Sequence, residues 1–97
     1  MRIKRAGLEA AVQRLAERLG KPTGPCWIHD EKTGRNRAVI GAWALDHNSI
    51  YGGYVIEEIN NDRGGIRHPL IATRVKGEEL LRMIYAAHCA LDIKEGR

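Results

Sequence analysis

The sequence predicts an α+β domain with two layers, in which a helix at each end of the chain covers one face of an antiparallel sheet. Apolar residues recur at helical spacing near both termini, and short segments rich in β-branched and aromatic residues alternate with turn sequences between them. A length of 97 residues fits a single domain over residues 1–97. No apolar run approaches the ~18 residues of a membrane-spanning helix, so no membrane partner is expected.

A helix is predicted over residues 4–19. Four apolar residues recur at the spacing i, i+4, i+7 and i+11: Leu8, Val12, Leu15 and Leu19. This spacing places them on one side of a helix, which is expected to face the core. Gly20 is suited to the left-handed conformation that ends many helices, and Pro22 blocks further helix.

The middle of the chain predicts an antiparallel meander of three or four strands. The candidate strands are residues 26–29, 38–45, 51–59 and 66–73. The connections between them are short, which favours hairpins. Pro69 lacks a backbone N–H, so the last strand is expected at a sheet edge or to be irregular. Gly52 and Gly53 indicate either a bulge in the third strand or a close approach by another backbone or a partner.

A second helix is predicted over residues 78–93, with Gly77 as its N-cap. Its core-facing residues are predicted to be Leu80, Leu81, Ile84, His88 and Leu91. The opposite face carries Arg82, Ala86, Cys89, Ala90 and Ile93. Apart from Arg82 these are small or apolar where a solvated helix carries charge, so this face is predicted to be an interface with a second copy or with another protein. The alternative is an alanine-rich helix that reflects helix propensity alone.

Positive charge is concentrated in the first third of the chain. Residues 1–37 hold nine basic and four acidic residues, whereas residues 38–97 hold seven basic and eight acidic residues. A basic segment of this kind suits either phosphate groups or an acidic protein surface. Aromatic residues make up 5% of the sequence, which disfavours single-strand binding led by base stacking.

The sequence predicts no catalytic residue, cofactor or metal ion. Cys26 and His29 lie three residues apart and His88 and Cys89 are adjacent, but neighbouring helical side chains point about 100° apart and do not readily share one ion. Cys26 is therefore predicted to be a small core residue and His88 a hydrogen-bonded residue of the helix-packing face. Two cysteines are too few for a disulfide framework, which indicates a reducing cytoplasm.

Two resemblances bear on function. The order helix, three strands, helix is similar to that of double-stranded RNA-binding domains, but the last helix begins Gly77-Glu78-Glu79, where that family has basic residues. Residues 45–56 (LDHNSIYGGYVI) and 59–66 (INNDRGGI), within a match over residues 45–91, resemble small accessory proteins of tailed bacteriophages. That resemblance implies a phage or prophage setting, in which small proteins bind and block host complexes.

The predicted function is that of a non-catalytic binding protein in the cytoplasm of a bacterial host. It is expected to dock on a host protein or ribonucleoprotein complex and to inhibit a nucleic-acid-targeting defence system such as CRISPR. The alternative is direct binding of DNA or RNA by the basic first third. The predicted partner-binding residues are Arg14, Arg18, Arg35, Arg37, Tyr51, Tyr54, Arg63 and Arg67.

Overall fold

The computed structural model describes residues 4–22, 24–48, 50 and 52–96. Its elements are α1 (Arg5–Arg18), β1 (Trp27–Asp30), β2 (Arg35–Ala38), β3 (Trp43–His47), β4 (Tyr54–Ile59), β5 (Ile66–Arg67) and α2 (Gly77–Glu95). Strands β3, β4 and β5 form an antiparallel sheet in that order, while β1 and β2 form a separate antiparallel hairpin. The α+β class is confirmed. No helix in the described parts of the chain is long and apolar enough to cross a bilayer.

The first helix packs its apolar side on the sheet, as its spacing predicts. Its buried residues are Leu8, Ala11, Val12, Leu15 and Ala16. They form one cluster with Trp43 of β3, Ile56 of β4, and Leu80 and Ile84 of α2. Leu19 was expected in this core and is exposed, because it caps the helix and leaves the helical geometry that would have continued the stripe. Gly20 follows with a φ of +75°, the predicted left-handed end.

A buried carboxylate lies where β3, β4, β5 and the end of α1 meet. Trp43 and Glu58 are directly opposite each other across β3 and β4, and Glu58 is only 5% exposed. The Trp43 indole Nε1 donates a hydrogen bond to Glu58 Oε1 at 2.6 Å. Lys21 Nζ lies 3.0 Å from the same oxygen, and Arg67 Nε lies 3.1 Å from Oε2. Glu58, which lies on β4, is thus connected to β3, to the edge strand β5 and to the segment after α1.

The ionisation of Glu58 follows from these contacts. Burial raises the pKa of Glu58, but the hydrogen bonds from Trp43 and Lys21 and the charges of Lys21 and Arg67 outweigh burial. The net effect holds the pKa below its usual value. The carboxylate is therefore ionised in the folded protein at neutral pH.

The prediction of one continuous strand over residues 38–45 was wrong, because the chain turns between Ala38 and Trp43. Ala42 N–H donates to the Val39 carbonyl at 3.1 Å, and Gly41 has a φ of +91°, which L side chains rarely adopt. A Cβ at Gly41 would also lie 3.2 Å from Cδ of Pro22. The turn divides the segment into the end of β2 and the start of β3, so the hairpin and the main sheet become separate.

The two later strands are shorter than predicted. The third predicted strand begins at Tyr54, because Gly52 and Gly53 have φ values of +73° and +84° and lie before β4. The close approach expected at these glycines comes from the chain itself: a Cβ at Gly53 would lie 3.0 Å from Cβ of Arg74. β5 lies at the sheet edge, as the missing N–H of Pro69 predicted, but it ends at Arg67 and does not extend to residue 73.

The second helix is held against the first by a polar contact at their ends. Arg18 Nη2 donates to Asp92 at 2.5 Å and to Glu95 at 3.1 Å, and Arg18 Nη1 lies 3.0 Å from His88 Nδ1. A guanidinium only donates, so His88 accepts through Nδ1 and carries its ring proton on Nε2. His88 is half-buried and hydrogen-bonded, as predicted. Lys76, rather than Gly77, is the N-cap residue.

Replacing Glu58 by Gln is expected to lower the free energy of unfolding by about 2–3 kcal/mol at pH 7, since charge-assisted hydrogen bonds are lost. The lowered pKa means that the stabilisation is complete above the unfolded carboxyl value of about 4.3 and is lost as the pH falls through the folded value. The difference between wild type and Glu58→Gln should therefore shrink below about pH 4. Urea unfolding at pH 7 and pH 3 measures both effects.

Glu57→Gln is the matched control for this prediction. Glu57 is the neighbouring residue on the opposite face of β4, where its carboxylate lies 4.0 Å from Nε2 of the His68 imidazole. Its substitution should change the free energy of unfolding by about 0.5 kcal/mol or less. Equal losses for the two variants would show that the Glu58 contacts do not provide the stabilisation.

Candidate partner-binding site

The hairpin of β1 and β2 projects from the helix-covered sheet. Its strands pack mainly on each other, and every residue of Trp27–Asp30 and Arg35–Ala38 except Asp30 and Ala38 is exposed. Each strand pairs with no third strand among the described residues, so each has a free edge. A free edge and two exposed faces make the hairpin an accessible surface for another chain.

One face of this hairpin combines isoleucine with arginine. Ile28 lies opposite Arg37 in the register. Arg35, two residues before Arg37 in β2, lies on the same face. Ile40, exposed in the turn after β2, extends the apolar part of the face. We call the surface of Ile28, Arg35, Arg37 and Ile40 the ribbon face.

Two depressions meet on the ribbon face. One of about 330 Å³ is lined by Ile28, Arg37, Ile40 and Asp62, among others. The other, of about 450 Å³, shares Ile28 and Arg37 and extends to the hairpin turn at Glu31 and Lys32. Ile28 and Arg37 therefore lie between two shallow, open depressions, one with a more apolar lining and one with a more charged lining.

The base of the hairpin is fixed to the main sheet. Trp27 lies on Gly64, whose φ is +83°; a Cβ at Gly64 would lie 2.7 Å from Trp27 Cη2. Ala38, Ala42 and Ile59 form a second small core beside it. Because the base is anchored while the tip is exposed, the ribbon face has a defined orientation relative to the helices.

The structure brings only part of the predicted partner-binding set together. Arg35 and Arg37 lie on the ribbon face, and Arg63 is exposed in the turn beside Asp62, which lines the smaller depression. Arg14 is exposed on α1, away from the hairpin. Tyr51 lies outside the described residues.

Three predicted partner-binding residues are engaged within the protein. Arg18 binds α2 and its side chain is only 21% exposed. Arg67 contacts Glu58, although most of its side chain remains exposed. Tyr54 is half-buried and stacks on His47, with ring centroids 4.5 Å apart. Sequence reasoning missed these contacts because each joins residues that only the fold brings together.

The outer face of α2 is exposed over its whole length. The predicted interface residues Arg82, Ala86, Cys89, Ala90 and Ile93 are all exposed. Tyr85 was missed; it is 71% exposed, and Ile93 is 80% exposed. The helical spacing of four residues from Tyr85 to Cys89 and Ile93 is the signal that could have found it. A groove of about 350 Å³ between α1 and α2 adjoins Tyr85 and is also lined by Arg14 and His88.

The cysteine and histidine residues do not assemble into a metal site in the described parts of the chain, where no group of three potential ligands occurs. Cys26 packs against the second small core, in line with its predicted role. Burial and then the charge of Glu57 raise the pKa of the Cys26 thiol. The thiol is therefore protonated at neutral pH, which disfavours nucleophilic chemistry at this position.

No protein-family model, curated protein or solved structure matches the chain. The resemblances to phage accessory proteins and to RNA-binding domains stay predictions.

Gly64→Ala should displace Trp27 and loosen the base of the hairpin. The new Cβ would combine a positive φ with a clash on the indole ring, which should lower the free energy of unfolding by about 2–3 kcal/mol. In ¹⁵N-correlated spectra the indole signal of Trp27 should shift, while that of buried Trp43 should move little.

Gly34→Ala provides the control, because Gly34 also has a positive φ, +69°, but a Cβ there meets nothing within 4 Å. It should reproduce the backbone strain, about 1 kcal/mol, without moving the Trp27 signal. A Trp27 signal unchanged in Gly64→Ala would contradict the proposed anchoring.

Proposed function

We propose that this protein is a non-catalytic binding protein that docks through its ribbon face on a protein surface of a bacterial host complex. Ile28 and Arg37 lie opposite each other between two shallow depressions on the exposed hairpin, and this placement supports the proposal. Protein interfaces are enriched in arginine and in apolar residues at their centre, where the planar guanidinium binds carboxylates in two-point contacts. The fitting partner surface has an apolar centre, acidic residues opposite Arg37, and basic residues opposite the carboxylates that line the same depressions.

The charges around the ribbon face favour a protein over a nucleic acid. Asp30, Glu31 and Asp62 line the same two depressions as Arg37. These carboxylates would lie close to phosphate groups in a nucleic-acid complex and repel them. The exposed first turn of α2, with Glu78 and Glu79, is unfavourable for phosphate in the same way.

The resemblance of residues 45–91 to phage accessory proteins supports the choice of host complex. In that setting the partner is a nucleic-acid-targeting defence complex such as a CRISPR effector. Such a complex is blocked when a small protein occupies a surface that its target or a subunit must use. The function requires binding alone and no chemical step by this chain.

Inhibition is tested in bacteria that carry an active CRISPR system and are transformed with a targeted or an untargeted plasmid. Wild-type protein should raise the efficiency of the targeted plasmid towards that of the untargeted one. The double variant Ile28→Glu with Arg37→Glu should abolish this effect, because loss of two central interface residues weakens binding by about a hundredfold or more.

The matched control is Ile50→Glu with Arg5→Glu, which makes the same changes at exposed positions outside the hairpin. It should retain wild-type inhibition. A hairpin variant as active as wild type would rule out the ribbon face, and failure of wild-type protein across representative CRISPR types would rule out this class of partner.

Direct nucleic-acid binding is tested by the mobility of labelled duplex and single strands over a salt series. Wild-type protein is expected to leave both unshifted at about 0.15 M salt. A complex that weakens steeply with salt and is lost in Arg35→Glu with Arg37→Glu would overturn the choice of a protein partner and establish phosphate contacts.

A further inference from the structure

The outer face of α2 carries a row of apolar side chains that no described residue covers. Tyr85, Cys89 and Ile93 follow at intervals of four residues, and Tyr85 and Ile93 are 71% and 80% exposed. Ala86 and Ala90 form the next row on the same side and are also exposed. Exposed apolar residues are ordinary when they are scattered, but here they form one continuous strip along a helix.

The strip is symmetric about Cys89. Tyr85 and Ile93 each lie four residues from Cys89, which places them about 6 Å away along the axis in opposite directions. A two-fold axis near Cys89 therefore brings Tyr85 of one protomer to Ile93 of its partner, and the reverse. Rows spaced by four residues pack on each other when two helices cross at about 50°. The short side chains of Ala86 and Ala90 leave a shallow groove beside each row for the row of the partner.

Charge at the ends of the strip agrees with the antiparallel arrangement. Arg82 precedes Cys89 by seven residues, so it would face Gly96 of its partner, which caps the C-terminus of α2. That end of a helix carries the negative end of its dipole and free carbonyl groups, which a guanidinium binds favourably. A parallel pair would instead bring the two Arg82 side chains together.

We propose that two copies of the chain associate through the outer faces of α2 as an antiparallel pair crossing at Cys89. This association uses a different surface from the ribbon face and would present two ribbon faces to a partner. A single helix strip makes a small interface, and small interfaces are characteristic of transient association, so we expect a dissociation constant on the order of micromolar.

Sedimentation equilibrium over a concentration series tests the association. Wild-type protein should change from monomer to dimer as its concentration rises through the micromolar range. Ile93→Glu should weaken the dimer by about tenfold or more, because it places two charges in the apolar strip. Ile50→Glu is the control, since Ile50 is 84% exposed and lies outside the strip, and it should dimerise like wild type. Monomeric wild type at 0.5 mM, or equal dimerisation of both variants, would overturn the proposal.

The position of the crossing is tested by disulfide formation in a Cys26→Ala background. Helix axes about 8–10 Å apart place facing Cα atoms roughly 4–6 Å apart, within the reach of a disulfide. Mild oxidation should link Cys89 to Cys89 of the partner at least about tenfold faster than it links Lys94→Cys in a chain that also carries Cys89→Ala. Lys94 is exposed on the same helix but off the strip. Equal rates for the two cysteines would contradict a crossing at Cys89.

Discussion

The hydrogen bond between the Trp43 indole and the Glu58 carboxylate determines where four parts of the chain meet. A carboxylate this deeply buried must be surrounded by donors, or its charge would be strongly destabilising. Trp43 supplies one donor from β3, Lys21 another from the segment after α1, and Arg67 a third from β5. A shift of β3 against β4 by one residue would move Glu58 away from Trp43. The polar contact therefore reinforces the register that the buried apolar face of the sheet already specifies.

The molecule therefore has two parts: a helix-covered unit formed by α1, α2 and strands β3–β5, and the exposed hairpin of β1 and β2. The helices cover one face of β3 and β4, and Arg18 joins their ends through Asp92 and Glu95. The hairpin lies outside this unit and is attached through the packing of Trp27 on Gly64 and the small core at its base. A rigid base with an exposed tip suits recognition, because the binding residues keep their orientation without being covered by the protein itself.

The sequence predicted the two helices well, because an apolar stripe with helical spacing has one simple interpretation. It did not predict the division of residues 38–45, since β-branched and aromatic residues occur on both sides of Gly41 and only the turn geometry separates them. Arg18 was assigned to a partner because nothing local indicates a carboxylate 74 residues away. The consecutive acids Glu57 and Glu58 lie on opposite faces of β4 because strand side chains alternate, but which of them is buried depends on tertiary contacts with Lys21 and Arg67. On the candidate site, the sequence identified Arg35 and Arg37 by their charge and missed their alignment with Ile28.

The helix-covered sheet carries a locally stable hairpin whose surface is open for binding. Amide hydrogen exchange of the free protein can measure this division, because exchange reports the opening free energy of each segment separately. The paired amides of β3, β4 and both helix interiors should exchange only on global unfolding, with the slowest rates in the molecule. The paired amides of the β1–β2 hairpin should exchange at least about a hundredfold faster, by local opening that shows little dependence on urea. Hairpin amides that exchange as fast as those of an unstructured chain would show that the hairpin has no stable conformation and cannot present a fixed binding face.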